Sequence, residues 1–133
     1  MGTGYLADTN VIIDLVLGRL PTAGAAWVDA QMAAGKVSIS IITRIEPLGK
    51  LVPAPEYAFL QFFVQSVAML SLDESVTQQT IRLRQQHRLM LPDAIVAATA
   101  LAHGIPLLTR NVSDFQTLPG LVVLNLHEAA PLP

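Results

Sequence analysis

Cysteine is absent from the 133-residue sequence, so neither a disulfide framework nor a thiolate metal site can form. Charged residues are sparse at 14%, whereas 52% of residues are hydrophobic, and this balance excludes a disordered chain. No apolar run reaches the roughly 20 residues that a membrane span needs, and no basic segment precedes an apolar run at the N-terminus. These absences predict a cytoplasmic protein that folds as one domain over residues 1–133 and has no membrane partner.

Positive charge is also in short supply, because eight lysines and arginines face ten acidic residues and the formal net charge is −2. This balance does not suit a protein that coats nucleic acids non-specifically, since such binding relies on many lysine and arginine contacts to phosphates. Any chemistry on nucleic acid would therefore need a local basic rim. Because acids are few, the place of each one in the chain is informative.

Strand and helix patterns alternate along the chain. The predicted strands are short, apolar or β-branched segments: 4–8, 37–41, 67–71, 105–109 and 121–125. The predicted helices lie between them: 11–18, 23–34, one from about Thr43, 55–66, 73–88, and one that begins near Asp93 and ends at 103–104. Strands that alternate with helices through short connections form parallel sheets covered on both faces. We therefore predict an α/β fold, a three-layer α/β/α sandwich with a mainly parallel five-stranded sheet.

Two residues carry local expectations about where helices begin. Asn10 is predicted to cap the helix over 11–18, with a contact to the functional site as its second role. Pro47 is predicted to lie in the first turn of the helix that starts near Thr43, since an α-helix tolerates proline only there.

Acidic residues occur where ligands bind in such sheets, beyond the carboxyl ends of the strands. Three acids follow predicted strands: Asp8, Glu46 and Asp114. Asp93 begins a helix that is entered from the preceding helix, so it can share the same edge of the sheet. The structural alternative for Asp93 is a helix start, where Pro92 suits the first position and an acid complements the helix dipole.

Four carboxylates at one edge repel one another unless a cation neutralises them. Oxygen ligands suit hard ions such as Mg²⁺ or Mn²⁺, whereas zinc is disfavoured because cysteine is absent and the three histidines are scattered. A Mg²⁺ ion held by carboxylates is the apparatus of phosphodiester hydrolysis, since it activates a water and stabilises the leaving oxygen. The acids therefore predict metal-dependent chemistry on a phosphodiester.

Three segments of the sequence carry a pattern typical of a known family. They are LADTNVIIDL (6–15), SIITRIEPLGK (40–50) and, most specifically, LPDAIVAATALAHGIPLLTRNVSDF (91–115). Through these segments the chain resembles the PIN-domain family, and within it the VapC-like toxins of bacterial and archaeal toxin–antitoxin pairs, over nearly its whole length. The resemblance implies a Rossmann-like fold and a Mg²⁺- or Mn²⁺-dependent endoribonuclease that cuts RNA. It further implies a homodimer, an antitoxin protein that neutralises it, and a set of catalytic metal ligands: Asp8, Glu46, Asp93 and Asp114.

Residues beside the acids are expected to support the site. Thr109 and Asn111 resemble the supporting polar groups of the family, and turn chemistry is an equally good explanation for Asn111. Arg110 adjoins the acids and is the best candidate for contact with a substrate phosphate. Asp14, by contrast, is predicted to be a solvated helix residue outside the site.

Alternatives remain for two surfaces and for the activity itself. Arg82, Arg84 and Arg88 are predicted to form a solvated helix face rather than a binding surface. The aromatic segment 56–65 is predicted to pack in the core, with docking of a partner helix as the alternative. The alternative to an enzyme is a catalytically inactive PIN-like domain that serves only as an interaction module, and a nuclease assay with and without Mn²⁺ separates the two.

Overall fold

Five short strands pair in parallel in the spatial order β3-β2-β1-β4-β5. The computed structural model describes residues 4–49, 53–128 and 132–133. The strands are β1 (Tyr5–Ala7), β2 (Val37–Ser40), β3 (Ala68–Leu70), β4 (Leu107–Leu108) and β5 (Val123–Leu124). Every strand runs in the same direction because helical segments connect successive strands along the chain. The predicted parallel five-stranded sheet is confirmed, with each strand shorter than its sequence pattern suggests.

Seven helices of the described residues flank the sheet. They are α1 (Thr9–Val16), α2 (Thr22–Ala33), α3 (Ile41–Leu48), α4 (Ala54–Ser66), α5 (Glu74–Gln86), α6 (Leu91–His103) and α7 (Val112–Phe115). The one-turn helix α7 was not predicted, because four residues are too few for a periodic pattern to emerge. None of the helices in these residues is long and apolar enough to cross a membrane.

The hydrophobic core lies on both faces of the sheet. Leu6 and Leu107 belong to one cluster, which α5 and α6 complete, whereas the adjacent Ala7 and Leu108 belong to a second cluster with α1, α2 and α4. Successive side chains of a strand point to opposite faces, so each strand contributes to both clusters. The sandwich therefore has three layers, with helices above and below the sheet.

Among the described helices, α6 has the most deeply buried segment, since every residue from Ala94 to Ala100 is at most 7% exposed. Its small alanine side chains allow α5 and the sheet to approach closely. The helix ends at Gly104, which adopts a left-handed conformation with φ of 64° that a side chain would disfavour. The buried helix predicted from the sequence is confirmed, with Asp93 in its first turn.

Helix α1 is capped by Asp8 and not by Asn10, so the predicted cap is wrong. The Asp8 carboxylate accepts the backbone N–H of Thr9 at 2.8 Å, and Asn10 lies within the first turn. Strand β1 ends earlier than predicted, at Ala7, and the helix therefore begins two residues sooner.

The predicted place of Pro47 in a first turn is also wrong. Helix α3 begins at Ile41, directly after β2, with the Ser40 hydroxyl as its cap, so Pro47 is the seventh of eight residues. Proline has no N–H to bond the preceding turn, and the helix ends soon after it, with Gly49 as the C-cap.

Helix α4 packs only one side into the core, so the core prediction for 56–65 is wrong for part of the stripe. Leu60 and Val64 are buried, whereas the side chains of Phe59 and Phe62 are 54% and 73% exposed. The helix thus presents aromatic side chains to the outside of the protein.

Candidate active site

The four predicted acids meet at the carboxyl edge of the sheet. Asp8 directly follows β1, Glu46 lies on α3 after β2, Asp93 opens α6, and Asp114 lies on α7 after β4. Asp8, Glu46 and Asp93 line a cavity of about 250 Å³, which we call the acidic pocket. Asp93 and Asp114 line an adjoining cavity of about 420 Å³, which we call the central depression. Asp93 therefore forms a wall that both cavities share.

Burial and mutual repulsion raise the pKa of two of these acids. Burial raises the pKa of Asp8 above its ordinary value of 3.8, and the charge of Glu46 adds to the increase, while hydrogen bonds from Thr109 and Thr9 oppose it. Burial also raises the pKa of Asp93, and the charges of Asp8, Asp114 and Glu46 raise it further. The four carboxylates thus act on one another across the two cavities.

Neutral donors hold the Asp8 carboxylate. Thr109, whose side chain is fully buried, donates its hydroxyl to Asp8 Oδ2 at 2.8 Å. Asn10 Nδ2 donates to the same oxygen at 3.2 Å, and the Thr9 N–H occupies Oδ1. The Thr109 hydroxyl in turn accepts Asn10 Nδ2 at 3.2 Å and the backbone N–H of Asn111 at 3.1 Å. Asn10 and Thr109 therefore contact Asp8 directly, and Asn111 is joined to this network through its backbone.

Glu46 is held by a residue that sequence reasoning missed. Thr9 Oγ1 lies 3.0 Å from Glu46 Oε1 and 3.2 Å from Thr43 Oγ1, whose residue is fully buried. This bridge joins α1 to α3 and orients Glu46 towards the acidic pocket. The sequence held a signal for Thr43, which precedes Glu46 by three residues and so shares its helix face, but none for Thr9, which is 37 positions from Glu46.

The donor chemistry of the site suits a hard cation. Carboxylate oxygens dominate it, and the residues that line the acidic pocket include no imidazole. Within residues 4–49, 53–128 and 132–133, no three acidic or histidine side chains stand close enough together to hold a metal ion as they are. The charges of Asp8, Asp114 and Glu46 nevertheless raise the pKa of Asp93, so all four acids interact. A cation would neutralise their repulsion and so favour a closer arrangement of the carboxylates.

Asp14 is buried, so its prediction as a solvated residue is wrong. Its side chain is 1% exposed, and both of its carboxylate oxygens accept Arg110 Nη1 at 3.0 Å. Its Oδ2 also lies 2.9 Å from His127 Nε2. These partners stand 96 and 113 positions away in the chain, so no local pattern could have indicated them.

Arg110 links this ion cluster to the acidic pocket. Its backbone N–H donates to Asn10 Oδ1 at 3.0 Å, and its side chain lines the acidic pocket. The side chain is 49% exposed, and among the described residues its guanidinium donates hydrogen bonds only through Nη1 to Asp14. Nε and Nη2 therefore remain available to a ligand in the pocket.

Three comparisons with known proteins agree with this architecture. The family model described as "PIN domain" matches residues 5–120. Ribonuclease VapC1 of Rickettsia felis is 29% identical over an alignment that covers 92% of this chain and 96% of that protein. VapC ribonuclease Y4jK of Sinorhizobium fredii is 30% identical, with 92% and 97% covered. A chain of a solved toxin–antitoxin complex from Klebsiella pneumoniae superimposes with a TM-score of 0.74 at 29% identity, covering 94% of this chain and 99% of that one.

Proposed function

The chain belongs to the PIN domain family, and we propose from this premise that it is an endoribonuclease, the toxin of a toxin–antitoxin pair. One observation carries the proposal: four acids from distant parts of the chain meet at one edge of the sheet. Relatives named ribonucleases align with this chain over nearly their whole length. The proposed activity therefore rests on the whole aligned domain and not on a fragment of the relatives. In this proposal residues 1–133 act as one PIN-like domain in the cytoplasm.

Asp8, Glu46, Asp93 and Asp114 hold a Mg²⁺ or Mn²⁺ ion in this proposal, because their oxygen-only chemistry fits a hard cation. When bound, such an ion supplies an activated water and neutralises charge on the scissile phosphate. Burial and mutual repulsion raise the pKa of Asp8 and Asp93, so their charged forms are less favourable here than in open water. Cation binding therefore relieves a repulsion that the fold itself creates.

The remaining residues of the site keep the acids in position. Asn10 and Thr109 fix the Asp8 carboxylate, and Thr9 fixes Glu46, so that little reorganisation accompanies binding. Asn111 extends this network through its backbone N–H. Arg110 contributes the guanidinium donors not used by Asp14 to a substrate phosphate.

We further propose two protein partners, an antitoxin and a second copy of this chain. Solved relatives are toxin–antitoxin complexes, and exposed aromatic side chains on α4, Phe59 and Phe62, supply apolar surface for a protein interface. Light scattering across the micromolar range tests the dimer, which a strictly monomeric species would contradict.

A cleavage assay tests the nuclease. The purified protein is incubated with a broad panel of single-stranded and structured RNAs in Mg²⁺, in Mn²⁺ and in EDTA, and we expect cleavage only with the divalent ions. An Asp8→Asn variant purified in the same way controls for contaminating ribonuclease. Full activity in EDTA, or no cleavage with either ion, would contradict the proposal. Antitoxin binding without cleavage would instead support the alternative, an inactive interaction module.

A further inference from the structure

A third cavity, of about 440 Å³, adjoins the central depression and shares Arg88, Leu89 and Met90 with it. Arg84 and His87 complete its lining, and we call it the arginine depression. The three cavities follow one another, since the acidic pocket and the central depression share Asp93 in the same way. A run of concave surface therefore leads from the acids to two arginines.

The arginine depression is positively charged. No acidic residue lines it, and among the described residues neither Arg84 nor Arg88 has a carboxylate within 4.0 Å. Arg84 has a structural role as well, because it lies in the last turn of α5 and donates Nε to the Leu89 carbonyl at 3.3 Å. Arg88 lies beyond the end of that helix and makes no hydrogen bond or ion pair within the described residues. Its guanidinium is therefore available to an anion.

A polyanionic substrate needs such a surface in this protein. The net charge is −2 and the acidic pocket concentrates negative charge, so RNA is repelled over most of the approach to the site. Arg110 offers the pocket only the guanidinium donors that Asp14 leaves free, and its charge is already paired. Further attraction must come from cations close to the acids but outside the pocket, and Arg84 and Arg88 stand in that place.

We propose that Arg84 and Arg88 bind phosphates of the single-stranded RNA on one side of the cleaved bond, a proposal that rests on the ribonuclease function above. The strand runs from the acidic pocket across the central depression to the arginine depression. Met90, which is 75% exposed, and Leu89 supply an apolar surface between the two ends for a nucleotide base. A basic groove that follows the backbone is the usual means of holding a single strand without reading its sequence.

RNA binding by the Arg84→Gln/Arg88→Gln double variant tests the proposal. Fluorescence anisotropy follows a labelled 12-nucleotide single-stranded RNA in EDTA at several KCl concentrations, so that cleavage does not interfere. Each phosphate contact on a single strand adds about 0.7 to the salt dependence of log Kobs, so the slope should fall by about 1.4. The same counterion term predicts a dissociation constant about tenfold or more higher at roughly 0.1 M salt.

The Arg19→Gln/Arg82→Gln variant is the matched control. It loses the same charge from two exposed positions that line none of the three cavities, and Arg82 lies on α5 like Arg84. We expect its slope to stay near that of the unaltered chain. Arg84→Lys/Arg88→Lys should also keep the slope, because counterion release depends on charge, and thermal melts confirm that each variant is folded.

Equal losses in the Gln variant and the control would overturn the site, since net charge alone would then explain binding. Absence of RNA binding by the unaltered chain would overturn it as well. Cleavage in Mn²⁺ is measured separately: an unchanged KM in Arg84→Gln/Arg88→Gln contradicts the subsite and leaves the nuclease standing. If Arg84→Gln/Arg88→Gln loses RNA binding as expected but the unaltered chain cleaves no RNA, the result supports the subsite and contradicts the nuclease.

Discussion

Asp8 caps the N-terminus of α1 and Asp14 is the sixth of its eight residues, and both are buried, at 6% and 1% exposure. Their partners differ in charge. Asp14 is neutralised within the protein by Arg110 and is in contact with His127. Within the described part of the chain, Asp8 receives only neutral donors, and it faces a further acid, Glu46, whose charge helps to raise its pKa.

The difference separates an acid that is neutralised within the protein from one that is not. A buried carboxylate is unfavourable unless it is paired, and at Asp14 the fold supplies a cation itself, Arg110. At Asp8 the fold supplies hydrogen bonds and more negative charge, which leaves the neutralising cation to come from outside. A repulsive cluster of this kind marks a functional site more often than a structural one. Five substitutions, in four experiments, test the contrast.

Asp114→Asn should have the largest effect, because it removes one acid from the cluster and leaves the Asp14 region intact. We expect RNA cleavage in Mn²⁺ to fall by more than the roughly 100-fold that loss of an outer-shell partner costs. Most of the Mn²⁺-induced rise in Tm should also disappear, since a ligand that binds only the folded state stabilises it by mass action. Asp29→Asn, on exposed surface of α2, should change neither rate nor Tm response. If Asp114→Asn keeps both its cleavage rate in Mn²⁺ and its Mn²⁺-induced rise in Tm, Asp114 has no role in the site.

Arg110→Gln should destabilise the protein by about 3 kcal/mol, because it removes the arginine whose charge neutralises the buried Asp14 carboxylate. Asp14→Asn should cost less, about 1 to 2 kcal/mol, since the half-exposed guanidinium it frees can be solvated. Urea unfolding of both variants measures the difference. Equal losses, or the reverse order, would show that Asp14 is not the member that needs neutralisation.

Thr109→Val should lower the free energy of unfolding by about 1 to 2 kcal/mol at pH 7, because the hydroxyl that donates to charged Asp8 is lost while the shape is kept. The loss should shrink as pH falls through the pKa of Asp8, which burial raises above 3.8, because protonated Asp8 has no charge that needs the donor. Thr99→Val is the control, since this equally buried hydroxyl donates to the Ile95 carbonyl inside α6. The stability loss in Thr99→Val should not vary with pH. If the loss in Thr109→Val is also independent of pH, the Thr109 hydroxyl does not act through the charge of Asp8.

Asp93→Asn should have the smallest effect on the metal-free protein, and its sign should depend on pH. A carboxyl whose pKa is raised in the folded state contributes stability that is fully present below the ordinary 3.8 and is lost as pH rises through the raised value. Asparagine does not ionise and escapes this loss, so the variant should gain relative to the unaltered chain between pH 4 and pH 7. The helix-dipole contribution of Asp93 offsets the gain by a few tenths of a kcal/mol, roughly. Thermal melts in EDTA across this pH range measure the stability of the variant relative to the unaltered chain. A relative stability that falls with rising pH would contradict repulsion among the acids.

Much of the fold and part of the site could be predicted, because the signals are local. Apolar periodicity marks strands and helices within a few residues, and the edge that parallel strands share places acids such as Asp8 together before any contact is known. Cap and boundary details were less accessible. The capping role went to Asp8 instead of Asn10 through a shift of two residues, and α7 is too short to leave a pattern.

The sequence by itself determined the alternating α/β order, the buried α6 helix and the set of acids, since each depends on neighbours along the chain. Only the tertiary structure decided that Asp14 is buried against Arg110, and that neutral donors hold Asp8 next to a further acid. The local sequence around Asp14 predicts a solvated helix residue, and its burial is possible because the fold brings Arg110 and His127 to it from 96 and 113 positions away. A buried charge takes its character from whatever the fold packs against it, and that is a non-local property.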